Sequence, residues 1–498
     1  MNVNPITRLD YPDPDVIRVE DTYYMVSTTM HFMPGCEILQ SFDLVHWEHA
    51  TYVYETLDHT DAQQLKSGQN IYGQGMWAAS LRYHEGRFYI CFVANDTRKT
   101  YLYTSEKIDG PWKKQLIEGF YHDGSLLFDE DGRNYIVYGN DEIWITELNE
   151  DLTAPKKDGL HRLLVSDHKN PELGYEGSHI QKINGYYYIF LVHSLRDRWM
   201  RTEACFYSDS LEGEFTGGDV LCDDRGYCGQ GVAQGGIVDT PDGKWYAILF
   251  QDSGAVGRIP ILLPVTWKDH FPFFGQNGHV PEEIEVHSTR PGYIYQPLVG
   301  SDDFCNGLLP RWQFNHDPDP RYYHLDALQG SYTITTREVC TELTQAVNTL
   351  TQRMSYPSCA AEVTVDASAL KEGDVAGLCA LQSCYAAVGI TKHHGKYEVL
   401  MLDKKEDGTL DMTEGTVVES HQMDFRLEAD FCNMKDEARC YYRVNKGDWL
   451  PIGTVHKLYF KLDHFTGCRF GLFCYAAEET GGSACFRDFK YYDVDEIS

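Results

Sequence analysis

A motif of one apolar stretch, one tight turn and one aromatic pair occurs five times within residues 16–250 of this 498-residue chain. A tyrosine in its second half aligns the copies, at intervals of 65, 46, 53 and 58 residues. The aligned tyrosines are Tyr24, Tyr89, Tyr135, Tyr188 and Tyr246. A four-stranded propeller blade with its loops has a period of this size, about 40–50 residues or more. We therefore expect residues 1–297 to form a five-bladed β-propeller.

Each copy of the motif predicts two antiparallel strands. In the copy SHIQKINGYYYIF (178–190), alternating apolar and polar residues precede an Asn-Gly turn, and a stretch rich in Tyr and Ile follows. Alternation that ends in such a turn indicates a β-hairpin. A β-sandwich would not require a five-fold repeat with a constant offset, and a β-helix needs shorter coils. The propeller is therefore favoured over both alternatives.

The repeat stops near residues 289–297, and a different pattern of short alternating strands follows. Such strands with Gly and Asp turns, over about 200 residues, are typical of a β-sandwich. We expect residues 298–498 to form a sandwich of the jelly-roll or concanavalin-like kind, so that the whole chain is all-β. The short linker favours a fixed contact between the two domains.

Composition excludes several classes of partner. The formal net charge is −32, which would repel the phosphates of nucleic acid, and no basic run suits an anionic membrane. We see no signal peptide and no apolar stretch of about 20 residues, so a cytoplasmic protein is expected. The fifteen cysteines include no CxxC pair and predict buried free thiols. The sequence leaves the oligomeric state open.

Five residues occupy nearly the same place in the five repeats. Twelve residues before the aligned tyrosines stand Trp77, Asp123, Glu176 and Gln234, and eleven before the first stands Asp13. A propeller brings equivalent positions of its blades to a common axis. Three carboxylates and an indole ring around one axis suit the cleavage of a glycosidic bond, which usually needs two carboxyl groups. The expected partner is therefore a small oligosaccharide.

The three acids differ in their local surroundings. Asp13 stands between two prolines that stiffen its backbone, as a rigidly aimed base requires. Glu176 stands between a tyrosine and a glycine, where we expect desolvation to raise its pKa and make it the acid. Asp123 would add a like charge that raises that pKa further, although it could also be a turn cap.

Three further side chains are candidates for substrate binding. Trp77 is placed to stack on a sugar, although a lone tryptophan is more often a core residue. Arg258 either donates to sugar hydroxyls, balances the acids or forms a surface ion pair. Phe32 lies on the loop after the first repeat and could line the pocket.

Six stretches of the first half carry a family resemblance. They are, in order, PDPD (12–15), GMWAASLRYHEGRFY (75–89), HDGSLLFDEDGRNYIVYG (122–139), YEGSHIQKINGYYYIF (175–190), AQGGIVDTPDGKWY (233–246) and VGR (256–258). In these stretches the chain resembles glycoside hydrolase family 43. The resemblance implies a five-bladed propeller of an inverting enzyme, usually a β-xylosidase, an α-L-arabinofuranosidase or an arabinanase. It implies that Asp13 is the general base, Glu176 the general acid and Asp123 the modulator of its pKa, with Trp77 and Arg258 in the substrate site.

The second half of the chain adds to the resemblance. The stretch at 302–323 is similar to the C-terminal sandwich of the xylosidase and arabinofuranosidase branches, in which the sandwich can help to close the pocket. The sequence does not identify the closing loop. Together these features predict an exo-acting, inverting hydrolase that releases terminal pentoses from hemicellulose-derived oligosaccharides. An endo-arabinanase, another propeller glycosidase and a non-catalytic sugar-binding propeller are the alternatives.

Four positions depart from the commonest family pattern, and one of them concerns a metal. Ser178, Ala79 and Gly124 replace frequent prolines. Gln234 stands where relatives often have a histidine that binds a central water or calcium ion. We therefore expect no required cofactor and no metal ligands, with a structural calcium ion left open and unsupported. Gln234 itself is expected to face the substrate.

Overall fold

The computed structural model describes residues 3–413 and 415–493, which contain 36 β-strands. The helices in this part of the chain are three single 3₁₀ turns, and none of them has the length or apolarity to cross a membrane. The predicted all-β class is thus confirmed. The three 3₁₀ turns are Lys66–Gly68, Leu343–Gln345 and Cys432–Met434.

Five four-stranded antiparallel sheets follow one another along the first half of the chain, and each is one propeller blade with its strands in chain order. Blades one and two comprise β1 (Asp15–Val19), β2 (Thr22–Val26), β4 (Gly35–Ser41) and β5 (Glu48–Tyr54), then β6 (Met76–His84), β7 (Arg87–Ala94), β8 (Lys99–Ser105) and β9 (Lys113–Ile117). Blades three and four comprise β10 (Ser125–Phe128), β11 (Asn134–Asn140), β12 (Glu142–Leu148) and β13 (His161–Ser166), then β14 (Glu176–Ile183), β15 (Tyr186–Ser194), β16 (Arg201–Ser208) and β17 (Thr216–Leu221). Blade five comprises β18 (Ala233–Asp239), β19 (Trp245–Asp252), β20 (Arg258–Lys268) and β21 (Phe271–Phe274).

The innermost strands close into a ring. Strand β1 contacts β6 on one side and β18 on the other, while β10 contacts β6 and β14, and β14 contacts β18. Buried apolar side chains fill the space between each pair of neighbouring blades, as Ile38 and Ile90 do between blades one and two. The ring and its five cores confirm the predicted five-bladed propeller.

The second half of the chain is a sandwich of two large sheets with a shared apolar core. The nine-stranded sheet has the order β3-β22-β25-β35-β27-β28-β29-β30, and β31 also pairs with β29. Its strands are β3 (Phe32–Met33), β22 (Gln313–Asn315), β25 (Leu350–Arg353), β27 (Asp374–Leu381), β28 (Tyr385–His393), β29 (Lys396–Lys404), β30 (Leu410–Met412), β31 (Thr416–Val418) and β35 (Arg469–Ala476). The seven-stranded sheet has the order β23 (Tyr323–Asp326), β24 (Ser331–Thr335), β36 (Ser483–Asp493), β26 (Ser358–Asp366), β32 (Gln422–Asp430), β33 (Glu437–Val444) and β34 (Leu450–Lys457).

One strand of the propeller half belongs to the sandwich. Strand β3 pairs with β22, so that Phe32 lies opposite Asn315 and Met33 opposite Phe314. The boundary predicted between residues 297 and 298 lies in the connection between β21 and β22, but the sequence did not predict this shared strand. The two domains are consequently joined by backbone hydrogen bonds as well as by side chains.

Three buried histidines meet at the junction of the domains. The ring of His31, from the propeller, lies 4.7 Å from that of His316 and 5.2 Å from that of His464, both from the sandwich. Nε2 of His316 accepts a hydrogen bond from the amide of Ile71, and Nδ1 of His464 pairs with the hydroxyl of Ser383. Burial lowers the pKa of all three, to about 3 for His316 and His464, so the rings are neutral in the folded protein.

Acidification should therefore destabilise the folded protein through these rings. Histidines of the unfolded chain take up protons below about pH 6.5, whereas the buried rings do not. The free energy of unfolding should fall between about pH 6.5 and 3, by up to about 1.4 kcal/mol per pH unit for each ring. Urea titrations at about pH 7 and about pH 5 should show a smaller fall for His316→Gln than for the wild type.

The matched control is His394→Asn, on an exposed turn of the sandwich. It should keep the pH dependence of the wild type. If His316→Gln also kept it, the buried ring would not be a source of acid sensitivity.

Candidate active site

Every innermost strand of the propeller is preceded by, or begins near, at least one residue with a positive φ angle. This conformation is uncommon for residues other than glycine and turns the chain sharply. In blades one, three and five the residue itself is one of the predicted site residues, and in blades two and four it directly follows Trp77 and Glu176. The left-handed residues are Asp13 (φ 51°), Ala78 (φ 22°), Asp123 (φ 49°), Gly177 (φ 64°) and Gln234 (φ 59°).

Asp13 is buried, and both of its carboxylate oxygens are held. Oδ2 accepts a hydrogen bond of 2.6 Å from the hydroxyl of Thr28, and Oδ1 accepts one of 2.7 Å from Nη1 of Arg258. The amide of Ala78 in turn donates to the oxygen of Thr28. These contacts fix the direction of the Asp13 carboxylate.

Asp123 and Glu176 share one pocket with His122. Nε2 of His122 lies 3.5 Å from Oδ2 of Asp123 and 3.5 Å from Oε2 of Glu176. The amide of Gly177 donates to Oδ2 of Asp123 at 2.9 Å, and Nδ2 of Asn140 donates to Oε2 of Glu176 at 2.6 Å. The two predicted carboxylates are thus neighbours, and Glu176 precedes the glycine that binds Asp123.

The electrostatics of this pocket differ from the prediction. Burial raises the pKa of Asp123 to about 6, against the attraction of His122, whose own pKa is raised to about 9 chiefly by the charge of Asp123. Burial alone would also raise the pKa of Glu176, but the contact with His122 and the charges of Arg201 and Arg258 bring it below the usual value. Desolvation thus acts in the expected direction, but the predicted net rise of the Glu176 pKa is wrong, because the nearby cations outweigh it.

Arg258 is buried and forms ion pairs with two carboxylates, so the alternative of a surface ion pair is wrong. Its Nη1 contacts Asp13, and its Nε lies 3.3 Å from Oδ1 of Asp252. The other oxygen of Asp252 pairs with Arg201, which is also buried. Arg258 thus links the base candidate to a second arginine, in agreement with a role in balancing the acids.

An aromatic residue from the sandwich reaches this site. The ring of Phe465 lies 5.2 Å from that of Trp77 in an edge-on arrangement, and the guanidinium carbon of Arg258 lies 3.8 Å from its centre. Phe465 is 4% exposed, while the Trp77 residue is only partly buried. A sandwich loop thus reaches this site, and it is the one that carries Phe465; closure of a pocket by this loop stays a prediction.

Close backbone contacts hold this loop on the propeller. Asp10 accepts hydrogen bonds of 2.8 Å from the amides of both Arg258 and Gly467. A Cβ atom on Gly467 would lie 2.0 Å from the carbonyl oxygen of Val256, so only glycine fits this approach. Phe465 and Arg258 are thus positioned by one shared carboxylate.

Phe32 and Gln234 lie in separate surroundings, Phe32 at the domain junction and Gln234 beside Gly177. Phe32 is 2% exposed, and the guanidinium of Arg469 covers its ring at 3.4 Å from the centre. The buried Gln234 donates its amide to Oε2 of Glu203 at 2.7 Å, and its side chain packs beside Gly177. Phe32 thus belongs to the domain junction, and sugar contacts by either residue stay a prediction.

A guanidinium occupies the ring of innermost strands, where a metal ion would need oxygen ligands. Arg82 of blade two donates to Oδ2 of Asp15, to the hydroxyl of Ser125 and to the carbonyl of Ile180, which belong to blades one, three and four. Calcium would require such oxygens for itself. Since Arg82 already uses them and carries a positive charge, the residues present do not fit a calcium ion there.

Sequence reasoning missed several residues that complete the site. His122 and Asn140 contact the acids, Arg201 pairs with Asp252, and Phe465 comes from the far end of the chain. His122 directly precedes Asp123 and was available as a signal. The other three occupy no shared repeat position, so the repeat offered no signal for them.

Both halves of the chain match known sequence profiles. Residues 3–272 match "Glycosyl hydrolases family 43". The chain belongs to glycoside hydrolase family 43. Residues 301–492 match "Beta xylosidase C-terminal Concanavalin A-like domain". This family 43 protein is accordingly a glycoside hydrolase with a C-terminal sandwich of the predicted kind.

Relatives cover nearly the whole chain. A β-xylosidase of Formosa agariphila is 26% identical over 99% of this chain and 89% of its own length. A bifunctional GH43-CE protein of Bacteroides eggerthii has a solved structure with a TM-score of 0.92 and 42% identity over 99% of this chain, which spans 64% of that longer protein. A family 43 hydrolase engineered to have both endo-xylanase and exo-arabinofuranosidase activity has a TM-score of 0.88 and 27% identity, over 99% of this chain and 98% of its own.

Removal of the ring of Phe465 should weaken substrate binding. Phe465→Ala deletes the contacts that hold Trp77 and Arg258 in place. The KM for a small glycoside should rise by roughly 2- to 10-fold, with a smaller change in kcat, because ordering a loosened side chain on binding costs about 0.5–1.5 kcal/mol. Initial-rate kinetics should show this, with far-UV circular dichroism to confirm folding.

Phe465→Tyr is the conservative variant and should keep KM near that of the wild type. An unchanged KM in Phe465→Ala would show that this loop does not affect substrate binding.

Proposed function

We propose that this family 43 protein is an exo-acting, inverting glycosidase that releases single terminal pentoses, β-xylose or α-L-arabinofuranose, from hemicellulose-derived oligosaccharides. The observation that carries the proposal is the position of Phe465. This ring comes from the sandwich and lies against both Trp77 and Arg258 beside the acids. A site covered on one side in this way suits a chain end better than the middle of a polymer.

In the proposed reaction the two faces of the sugar meet different carboxyl groups. Asp13 removes a proton from a water molecule whose oxygen attacks the anomeric carbon, while Glu176 gives a proton to the leaving oxygen. The hydrogen bonds from Thr28 and Arg258 hold Asp13 in one orientation. Asp123 and Glu176 titrate as a pair, so that the charge of Asp123 tunes the acid.

The relatives support pentose as the sugar. One of them is a β-xylosidase, and another displays exo-arabinofuranosidase activity after engineering of its active site. The endo-acting alternative fits less well with the covered site. The non-catalytic alternative fits less well with three retained acids, each held by named donors.

Removal of either proposed acid should nearly abolish hydrolysis. Asp13→Asn and Glu176→Gln should each lower kcat by at least about 10²-fold, because each removes a proton-transfer group. For Glu176→Gln the loss should be smaller on an aryl glycoside, whose leaving group needs no proton. Assays with aryl β-xyloside and aryl α-arabinofuranoside measure these losses and also identify the preferred sugar.

Two outcomes would contradict these assignments. Equal losses by Glu176→Gln on aryl and natural substrates would remove its role as acid. Proton NMR of the first-formed sugar should show the inverted anomer, and a retained anomer would exclude Asp13 as the base for water.

We also propose that hydrolysis needs no calcium ion at the ring of innermost strands, because Arg82 already binds the oxygens there. Chelation by EDTA and later addition of calcium should leave both kcat and the melting temperature unchanged. A fall in either after EDTA, restored by calcium, would show a metal site elsewhere in the protein.

A further inference from the structure

His122 lies between the two carboxyl groups of the acid pocket, and the mechanism above gives it no role. Its Nε2 lies 3.5 Å from both Oδ2 of Asp123 and Oε2 of Glu176, which is long for a hydrogen bond. Catalytic contacts are often this long until substrate tightens them. A small rotation of the ring would complete a bond to either carboxylate.

The ring is held in place by its backbone and by a neighbour. The carbonyl oxygen of His122 accepts a hydrogen bond from the amide of Gly139 at 3.1 Å, and the next residue, Asp123, has a left-handed backbone. The indole of Trp77 lies 6.3 Å from the imidazole, in an edge-on arrangement. The side chain of His122 is 24% exposed, against 6% for Asp123 and 21% for Glu176, so it lies between the buried Asp123 and the open part of the site.

The donors around Glu176 decide which of its oxygens carries the acidic proton. Oε2 accepts from Asn140 and faces Nε2 of His122. A proton on Oε2 would point at these two donors. The proton must therefore reside on Oε1, which accepts no hydrogen bond from the residues of 3–413 and 415–493 and stays free for the leaving oxygen.

We propose that His122 is a positioning residue of the reaction: its Nε2–H bridges Asp123 and Glu176, and so directs the proton of the acid to Oε1 of Glu176. This inference rests on the proposed function of Glu176. It requires Nε2 to carry a hydrogen, which two facing carboxylates favour. The high pKa of His122 agrees with that requirement.

The charge of His122 also has a consequence for pH dependence. The groups that act on it are the carboxylates of Asp123, Glu176 and Asp13, while Arg201 and Arg258 act with it on Glu176. Removal of the imidazolium takes away a cation that favours the ionised carboxylates. Glu176 would then keep its proton to higher pH.

The test compares His122→Asn, which leaves no donor at the place of Nε2, with His122→Gln, which keeps an uncharged donor there. Substrates are the aryl glycoside that the wild type cleaves and the disaccharide of the same terminal sugar. For His122→Asn, kcat on the disaccharide should fall by about 10- to 100-fold, with little change in KM and a smaller loss on the aryl glycoside. His122→Gln should recover most of the loss.

In both variants the alkaline limb of the kcat/KM profile should move to higher pH. The control His394→Asn should match the wild type in every measurement. The proposal would be overturned if both His122 variants kept the wild-type ratio of kcat on the disaccharide to kcat on the aryl glycoside, and also kept the wild-type alkaline limb of the kcat/KM profile. A loss that His122→Gln fails to recover would also overturn it, because then the ring would serve only packing.

Glu176→Gln, measured in parallel, separates this inference from the proposed function. If Glu176→Gln hydrolysed both substrates as the wild type does, the assignment of the acid would fail whatever His122 does. If it lost the disaccharide activity while the His122 variants kept theirs, only the inference about His122 would fail.

Discussion

The active site depends on a backbone constraint that recurs in each blade, a left-handed residue at the start of the innermost strand. Four of the five are not glycine, and such conformations cost about 1–3 kcal/mol each unless their surroundings support them. The support is visible around Asp13, where Ser27 and Thr28 both donate to the carbonyl of Pro12. Strain accepted at these positions allows five blades to direct functional groups to one place.

The second constraint is the shared carboxylate of Asp10, which binds the amides of Arg258 and Gly467. Asp10 therefore holds both Arg258, which contacts Asp13, and the sandwich loop that carries Phe465. Burial raises the pKa of Asp10 to about 6, with the two amides opposing the rise. The site is therefore a product of both domains, although all three acids come from one of them.

The repeat made much of this protein predictable. It is a local pattern, so it indicated the blades, and its offset brought together Asp13, Asp123 and Glu176. It did not reveal Phe465, because a contact between distant parts of the chain leaves no periodic trace. It also misjudged the pKa of Glu176, since that depends on His122, on Arg201 of the same blade and on Arg258 of the next blade.

The short strand β3 gives the two domains a common sheet, and this has an evolutionary consequence. A propeller separated from its sandwich would lose the partner of Phe32 and Met33, while the sandwich would expose the backbone of β22 along a new edge. Exposed edges invite pairing between molecules. Exchange of either domain for an unrelated one would thus require the simultaneous repair of a broken sheet, so the two halves are expected to be inherited as one unit.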